Sequence, residues 1–297
     1  MRVSPGALVA RVPAPALFVG SGLAQYLGAA VAIGLFDRLP AATVGWLRLA
    51  VAALVLLAWR RPWRLTWTRP ALRAAVAFGV VLATMNLTFY VAIEHLPLGT
   101  AVAIEFLGPV AVAAFTGSGW RERSGIALAA VGVALLAGVT LSVGGDDVVV
   151  GLVAIGAAAA CWAGYILLGR RVAAGPDGVS SLAVGMTAGS LLYAPLLAAS
   201  GAPVLRSADL ALAVVGVAVL SSVVPYALEQ GILRRVTAAT FAVLLALLPA
   251  TAAVIGAVVL RQWPRPLEVV GLVLVSGAIA LTSGARPSPE EAPPPAP

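Results

Sequence analysis

Long apolar runs separated by short polar segments dominate this chain of 297 residues. Eight runs without any charge cover at least 17 positions each, and two more hold a single charge, Arg48 or Glu105. A helix needs about 20 apolar residues to cross a hydrocarbon core of roughly 30 Å. The pattern predicts ten transmembrane spans, numbered 1 to 10, near 15–35, 41–59, 71–94, 98–117, 124–142, 148–169, 180–199, 209–233, 237–260 and 267–284.

The runs are apolar on every face, whereas transmembrane strands alternate polar and apolar residues. The predicted fold class is therefore an all-α integral membrane protein. The first run follows Arg2 and Arg11 like a signal peptide, but it is long for one, and we expect it to stay as span 1. Residues 285–297 hold six prolines and two glutamates, which predicts a disordered tail.

The arginines predict the direction of the chain. All 19 basic residues are arginines, and 13 of them fall in segments on the side of the N-terminus, against 4 on the other side. Arginine-rich loops stay in the cytoplasm, so both termini, including residues 1–14, are expected to be cytoplasmic. The loop 261–265, with Arg261 and Arg265, fits this bias badly because it lies on the outer side.

Two stretches of the chain are alike, residues 96–117 in span 4 and residues 236–257 in span 9. Aligned without gaps, they share Thr100/Thr240, Leu107/Leu247, Pro109/Pro249 and Ala113/Ala253. Five crossings separate them, so the copies run in opposite directions, as in the inverted repeats of many transporters. We therefore expect two five-helix repeats of inverted topology, residues 15–142 and 148–284.

Five short segments carry a resemblance to a known family: Trp46–Ala50, Pro97–Ala101, Ile104–Pro109, Leu228–Gln230 and Arg234–Thr240. With the ten-span layout, they resemble EamA-type members of the drug/metabolite transporter superfamily, in the threonine/homoserine exporter (RhtA) branch. The resemblance implies a bacterial inner-membrane exporter of small neutral amino acids, exchanged for protons by alternating access. It also implies a central cavity lined mainly by spans 1, 3, 4, 6, 8 and 9. Export of other metabolites or of hydrophobic drugs is the alternative within the superfamily.

Arg48 and Glu105 are the charges that lie inside predicted spans and invite a functional interpretation. Each lies about seven residues from the outer end of its span, so the two side chains reach similar depths. One interpretation is an ion pair that only locks span 2 to span 4. The other places Glu105 in the cavity, where it holds a substrate ammonium group or a transported proton.

Other polar and aromatic side chains in the spans are candidates for the cavity wall, because polar groups in a bilayer need a partner or water. Hydrogen bonding between helices competes with substrate contact for Gln25 and the tyrosines, and the alternative for Glu229 is pairing with Arg234 or Arg235. These candidates are Gln25, Asn86, Tyr90, Trp162, Tyr165, Tyr226, Glu229 and Gln230.

Pro109 and Pro249 lie near the middle of spans 4 and 9. Each removes a backbone donor and frees the carbonyl four residues earlier, in Glu105 and Leu245. Two interpretations remain open, a packed kink and a flexing point for alternating access.

Composition and missing motifs weigh against other functions. With 61% hydrophobic and 10% charged residues, the chain is not a typical soluble domain. The sequence shows no nucleotide-binding motif, no cofactor fingerprint and no metal-ligand cluster, so neither an enzyme nor a nucleic-acid partner is expected. A membrane-embedded enzyme and a non-transporting scaffold are the rivals. The small residues Gly185 and Gly189 pack helices together and leave a homodimer open.

Overall fold

Helices make up the structure, a computed structural model that describes residues 12–116, 119–143, 146–173, 178–225 and 244–283, with Leu228 and Ile232. The elements in chain order are α1 (Ala14–Ile33), α2 (Ala41–Arg60), α3 (Arg69–His95), α4 (Leu98–Glu105), α5 (Leu107–Thr116), α6 (Trp120–Val143), α7 (Asp146–Ala173), α8 (Gly178–Gly201), α9 (Ala208–Ala218), α10 (Leu248–Val258) and α11 (Pro266–Ser283). Short 3₁₀ turns cover Pro62–Arg64 and Ala202–Arg206. Within these ranges no strand occurs, which confirms the predicted all-α class.

Six of these helices are long and apolar enough to cross a membrane, namely α1, α2, α3, α6, α7 and α8. The remaining described helices are shorter but also apolar, so the count of ten spans and the inverted topology stay predictions. Large apolar side chains cover the outside of the bundle, including Leu54, Val153 and Leu212, each at least two-thirds exposed. Such a surface suits contact with lipid rather than with water.

Glycines bring α3 and α8 into close contact at the centre of the bundle. A methyl group added to Gly79 would collide with the backbone of Gly185, and one added to Gly189 would lie 2.6 Å from the Ala83 side chain. Small residues allow membrane helices to approach until their backbones touch. The predicted packing role of Gly185 and Gly189 is thus filled within one chain, between α8 and α3.

The two aligned stretches break at equivalent positions. The chain leaves the helix at Phe106, between α4 and α5, and at Ala246–Leu247, just before α10. In the alignment Phe106 corresponds to Ala246, and each break precedes its proline by two or three residues. A proline costs no hydrogen bond in the first turn of a helix, where the backbone N–H has no partner. The breaks place Pro109 and Pro249 in that turn, where spans 4 and 9 were predicted to be continuous.

A third irregularity follows α9. The helix widens into a π turn at Val219–Val223, in which the N–H of Val224 bonds to the carbonyl of Val219. π turns inside helices are rare and are found frequently at functional sites.

Candidate functional site

A central cavity lies among α1, α2, α3, α4, α7, α8 and the π turn, and it has two adjoining chambers. The polar chamber has a volume of about 110 Å³ and is lined by Gln25, Tyr26, Ala29, Arg48, Met85, Asn86, Phe89, Tyr90, Glu105 and Trp162. The apolar chamber, about 230 Å³, is lined by Gln25, Arg48, Ala52, Leu56, Leu82, Met85, Asn86, Tyr165, Leu182, Met186, Ser221, Ser222, Val223 and Pro225. Four lining residues are common to both, so the chambers are neighbours.

Arg48 lies where the chambers meet. Its Nη1 donates to the carbonyl oxygen of Ser221 at 3.5 Å, and its guanidinium carbon lies 5.1 Å from the centre of the Tyr90 ring. Its buried Nε has no hydrogen-bond partner in the described part of the chain. Most of the hydrogen-bonding capacity of this guanidinium therefore remains available.

Pro225 explains why the Ser221 carbonyl is open to Arg48. Proline has no N–H, so Pro225 cannot donate to the carbonyl four residues earlier, as an α-helix requires. Irregular backbone is tolerated at membrane depth where it lines a cavity or contacts protein. A second contact holds the π turn in place, since the Ser221 hydroxyl donates to the carbonyl of Gln25 at 3.2 Å.

Glu105, the last residue of α4, faces the polar chamber and is only 9% exposed. Among the described residues its carboxylate has no ion pair within 4.0 Å, so Arg48 and Glu105 line one chamber without contacting each other. The Tyr90 hydroxyl, also in this wall, is fully buried and has no partner among the described residues. Buried polar groups are normally satisfied, so the two unpartnered atoms of this wall, Arg48 Nε and the Tyr90 hydroxyl, indicate a ligand or ordered water.

The other predicted residues take distinct positions. Gln25 and Asn86 line both chambers, and the Asn86 amide is fixed on its own helix by donating to Leu82 O at 2.7 Å. Trp162 lines the polar chamber and packs against Phe106, with ring centres 4.6 Å apart. Tyr165 instead lines the apolar chamber. The structure thus brings Gln25, Arg48, Asn86, Tyr90, Glu105, Trp162 and Tyr165 to one cavity.

Five predicted residues are not in that wall. Tyr226, Glu229 and Gln230 lie outside the described residues. Pro109 and Pro249 are described, but neither is in the cavity lining. Their link to the site is indirect, since the break before Pro109 immediately follows Glu105.

Sequence reasoning missed Ser221, Ser222 and Pro225. The signal was present in the segment Ser221–Pro225, because a proline four residues after a serine frees that carbonyl. It also missed the apolar chamber, whose leucines and methionines are indistinguishable from lipid-facing residues in the sequence.

The central cavity is lined by one basic and one acidic side chain, together with apolar, aromatic and uncharged polar residues. This arrangement complements a small molecule that carries both charges. Within the described residues, no three histidine, cysteine or acidic side chains come together as metal ligands.

Comparisons with known proteins agree with this picture. The EamA-like transporter family model matches residues 149–284. The chain is 36% identical to the threonine/homoserine exporter RhtA of Escherichia coli K12 over 251 residues, 84% of each protein. Identity to the RhtA of Salmonella typhimurium LT2 is 34% over 264 residues, 89% of each.

A solved crystal structure shares the fold with a TM-score of 0.58 and 20% identity, over 90% of this chain and 95% of that one. The sequence relatives are transporters and not enzymes, which confirms the predicted class and removes the enzyme alternative. This chain is therefore a multi-pass membrane protein that belongs to the EamA-like transporter family.

Proposed function

We propose that this protein exports small neutral amino acids, of the threonine and homoserine class, across the bacterial inner membrane. The substrate lies in the polar chamber, where Arg48 binds its carboxylate and Glu105 binds its ammonium group. The observation that carries the proposal is that these two opposite charges line one chamber without pairing. The names of the relatives support the substrate class.

Electrostatics favours a zwitterion over a singly charged substrate. A charge buried without a counter-charge is costly, and the polar chamber holds one of each sign. A zwitterion satisfies both side chains at once and offers an acceptor to the Tyr90 hydroxyl. An amine or a carboxylic acid of the same size leaves one charge unpaired, which is a strong basis for rejection.

Competition at Glu105 provides a route to proton coupling. The carboxylate accepts either a substrate ammonium group or a proton, and one group cannot hold both. If the proton enters from outside and the amino acid leaves from inside, the inability of Glu105 to hold both at once produces exchange of protons for amino acid. The breaks before Pro109 and Pro249 are the places where α5 and α10 change angle during alternating access.

A counterflow assay in proteoliposomes tests the proposal. Vesicles loaded with L-threonine should take up labelled L-threonine, and a proton gradient should shift the rate. Glu105→Gln should abolish this uptake, whereas Glu94→Gln, a carboxylate exposed at the end of α3, should leave it unchanged. Normal threonine uptake and normal pH dependence in the Glu105 variant would contradict the proposal.

Export of bulkier apolar compounds is the second candidate, and the apolar chamber favours it. Leu56, Leu82 and Met186 line a space about twice the volume of the polar chamber. The same assay decides, with leucine, threonine butylamide and a hydrophobic cation as added substrates. Transport of the hydrophobic cation without transport of threonine would replace the amino-acid proposal.

A further inference from the structure

A second and larger cavity lies on the face that the arginine distribution places outside. We call it the outer chamber, a space of about 420 Å³ at the ends of α3, α4, α6, α7, α10 and α11. Its volume is within the roughly 300–1,000 Å³ of ligand-binding pockets. Its lining includes the His95 imidazole, the guanidinium groups of Arg261 and Arg265, and the Glu268 carboxylate.

The outer chamber also combines a buried carboxylate with guanidinium groups, although Arg261 and Arg265 are exposed. Glu268 is 8% exposed, and its Oε2 accepts the backbone N–H of Arg265 at 2.7 Å. The Arg261 and Arg265 side chains form no ion pair within 4.0 Å with any residue in the described ranges. A buried carboxylate and two unpaired guanidinium groups therefore line one cavity.

Helix α4 contributes to both sites and packs tightly against α10. Gly99 and Thr100 line the outer chamber and Glu105 lines the polar chamber, a separation of about 8 Å along the helix. Every residue of α4 is buried. A methyl group added to Gly99 would lie 2.9 Å from the Cα atom of Ala253 in α10, so no passage exists between the helices at this point.

Arg261 has a left-handed backbone conformation, which it shares with Arg61. Arg261 ends the helical path after α10 with φ 59°, and the next N–H, from Gln262, bonds to Gly256 O at 2.9 Å. Glycine is the usual residue in this left-handed conformation, because other residues are strained there. Strained residues cluster at ligand clamps and active sites. An arginine here also opposes the preference for cytoplasmic arginine.

We propose that the outer chamber is a second amino-acid site, which holds the exported zwitterion before its release. Arg261 and Arg265 bind the carboxylate, and Glu268 binds the ammonium group. This inference rests on the proposed function, since it places a second site for the same substrate in series with the first. Transport then passes from the polar chamber to the outer chamber when α4 and α10 separate.

Exchange measured from outside tests the outer chamber. Cells expressing the protein are loaded with labelled L-threonine, and label efflux is followed while unlabelled external threonine is varied; cells with empty vector give the background. Arg261→Gly should raise the external concentration for half-maximal exchange by about tenfold, the loss typical of one charged hydrogen bond. Its melting temperature should not fall, because glycine relieves the backbone.

Three further variants complete the test. Arg61→Gly is the matched control, since Arg61 follows α2 with φ 48° and lines neither the outer chamber nor the central cavity. Arg61→Gly should leave the external threonine concentration for half-maximal exchange unchanged. Arg261→Lys should keep this concentration close to the wild-type value. Glu268→Gln should raise it, as Arg261→Gly does.

Each outcome has a clear meaning. A shift below twofold in both Arg261→Gly and Glu268→Gln, or an equal shift in Arg61→Gly, would overturn the outer site while leaving the central one intact. Glu105→Gln should instead stop exchange at every external concentration. No threonine exchange by the wild-type protein would remove both proposals.

Discussion

The stretch containing α4 and α5 and the stretch leading into α10 share a break but not its chemistry. Both leave the helix at equivalent positions, Phe106 and Ala246, just ahead of a shared proline. The residue before the break is Glu105 in the first copy and Leu245 in the second. Glu105 lines the polar chamber, whereas Leu245 packs against the main hydrophobic core. The proline therefore accounts for the common geometry, and one substituted position gives the first copy a charge.

A second difference lies at the outer ends. The N–H of Leu98, at the start of α4, donates to the Gln262 side chain at 3.0 Å, so the loop after α10 caps α4. The two copies are therefore bound to each other on the side of the outer chamber. The comparison teaches that the two copies share a proline-linked break, while side chains unique to one copy line the polar chamber and join the copies at their outer ends.

Exchanging the chemistry of the two copies should have the largest effect. Glu105→Leu should lower threonine exchange roughly 100-fold, since removing one partner of a buried charged contact costs about 2–5 kcal/mol. Adding Leu245→Glu should not restore exchange, because position 245 packs in the core. Initial rates of counterflow measure both variants. Recovery in the double variant would show that the two positions are interchangeable.

Forcing the copies apart should destabilise the protein. In Gly99→Val the added side chain overlaps Ala253, and overpacking of this kind costs about 1–3 kcal/mol. The thermal unfolding midpoint in detergent should fall accordingly. Gly138→Val in α6 is the matched control, because no atom lies within 4 Å of a methyl group at that position. Equal decreases of the thermal unfolding midpoint in the two variants would mean that the α4–α10 contact is not specially tight.

Removing each proline should test whether the shared break matters to transport. With alanine the missing backbone donor returns and the helix is free to straighten, so exchange should slow by roughly fivefold, about 1 kcal/mol. We expect exchange to slow more in Pro109→Ala than in Pro249→Ala, since the first break adjoins Glu105. Pro195→Ala in α8 serves as the control. Unchanged rates in both variants would leave a packed kink as the whole role of these prolines.

Releasing the cap on α4 should have the smallest effect. Gln262→Ala leaves the Leu98 N–H without its acceptor, at a cost of about 0.5–1.5 kcal/mol. Hydrogen exchange at the Leu98 amide should accelerate by roughly tenfold, and Gln262→Glu should preserve protection. An amide that exchanges at the wild-type rate in Gln262→Ala would show that the contact does not hold α4 in place.

Much of the site was predictable because two things can be read from the local sequence: the cost of a polar side chain in an apolar span, and the position of that side chain in the span. A polar side chain in an apolar run must be satisfied, so Gln25, Asn86 and Glu105 stood out, and the structure places all three in one cavity. The partners of those side chains were not predictable. Equal depth suggested a direct contact between Arg48 and Glu105, but the Ser221 carbonyl lies against Arg48 instead.

The outer chamber illustrates the same limit. His95 lies 166 positions before Arg261, and no sequence pattern links it to the stretch that holds Arg261 and Glu268. The exception to the arginine bias at 261–265 was visible, but its meaning depended on the cavity beside it. Likewise, Phe106 and Trp162 are ordinary apolar residues until their rings are found in contact.

The sequence by itself determined the membrane setting, the helical class, the repeated proline segments and the family, because these follow from apolar length, backbone chemistry and short motifs. Only the tertiary structure decided that Arg48 and Glu105 line one chamber without an ion pair, that α4 packs tightly against α10 beside the outer chamber, and that an arginine with a left-handed backbone borders that chamber. The first two features arise from packing between residues that are distant in the sequence, 57 positions for Arg48 and Glu105 and 154 positions for Gly99 and Ala253. Such packing depends on the three-dimensional fit of side chains, which no local pattern encodes.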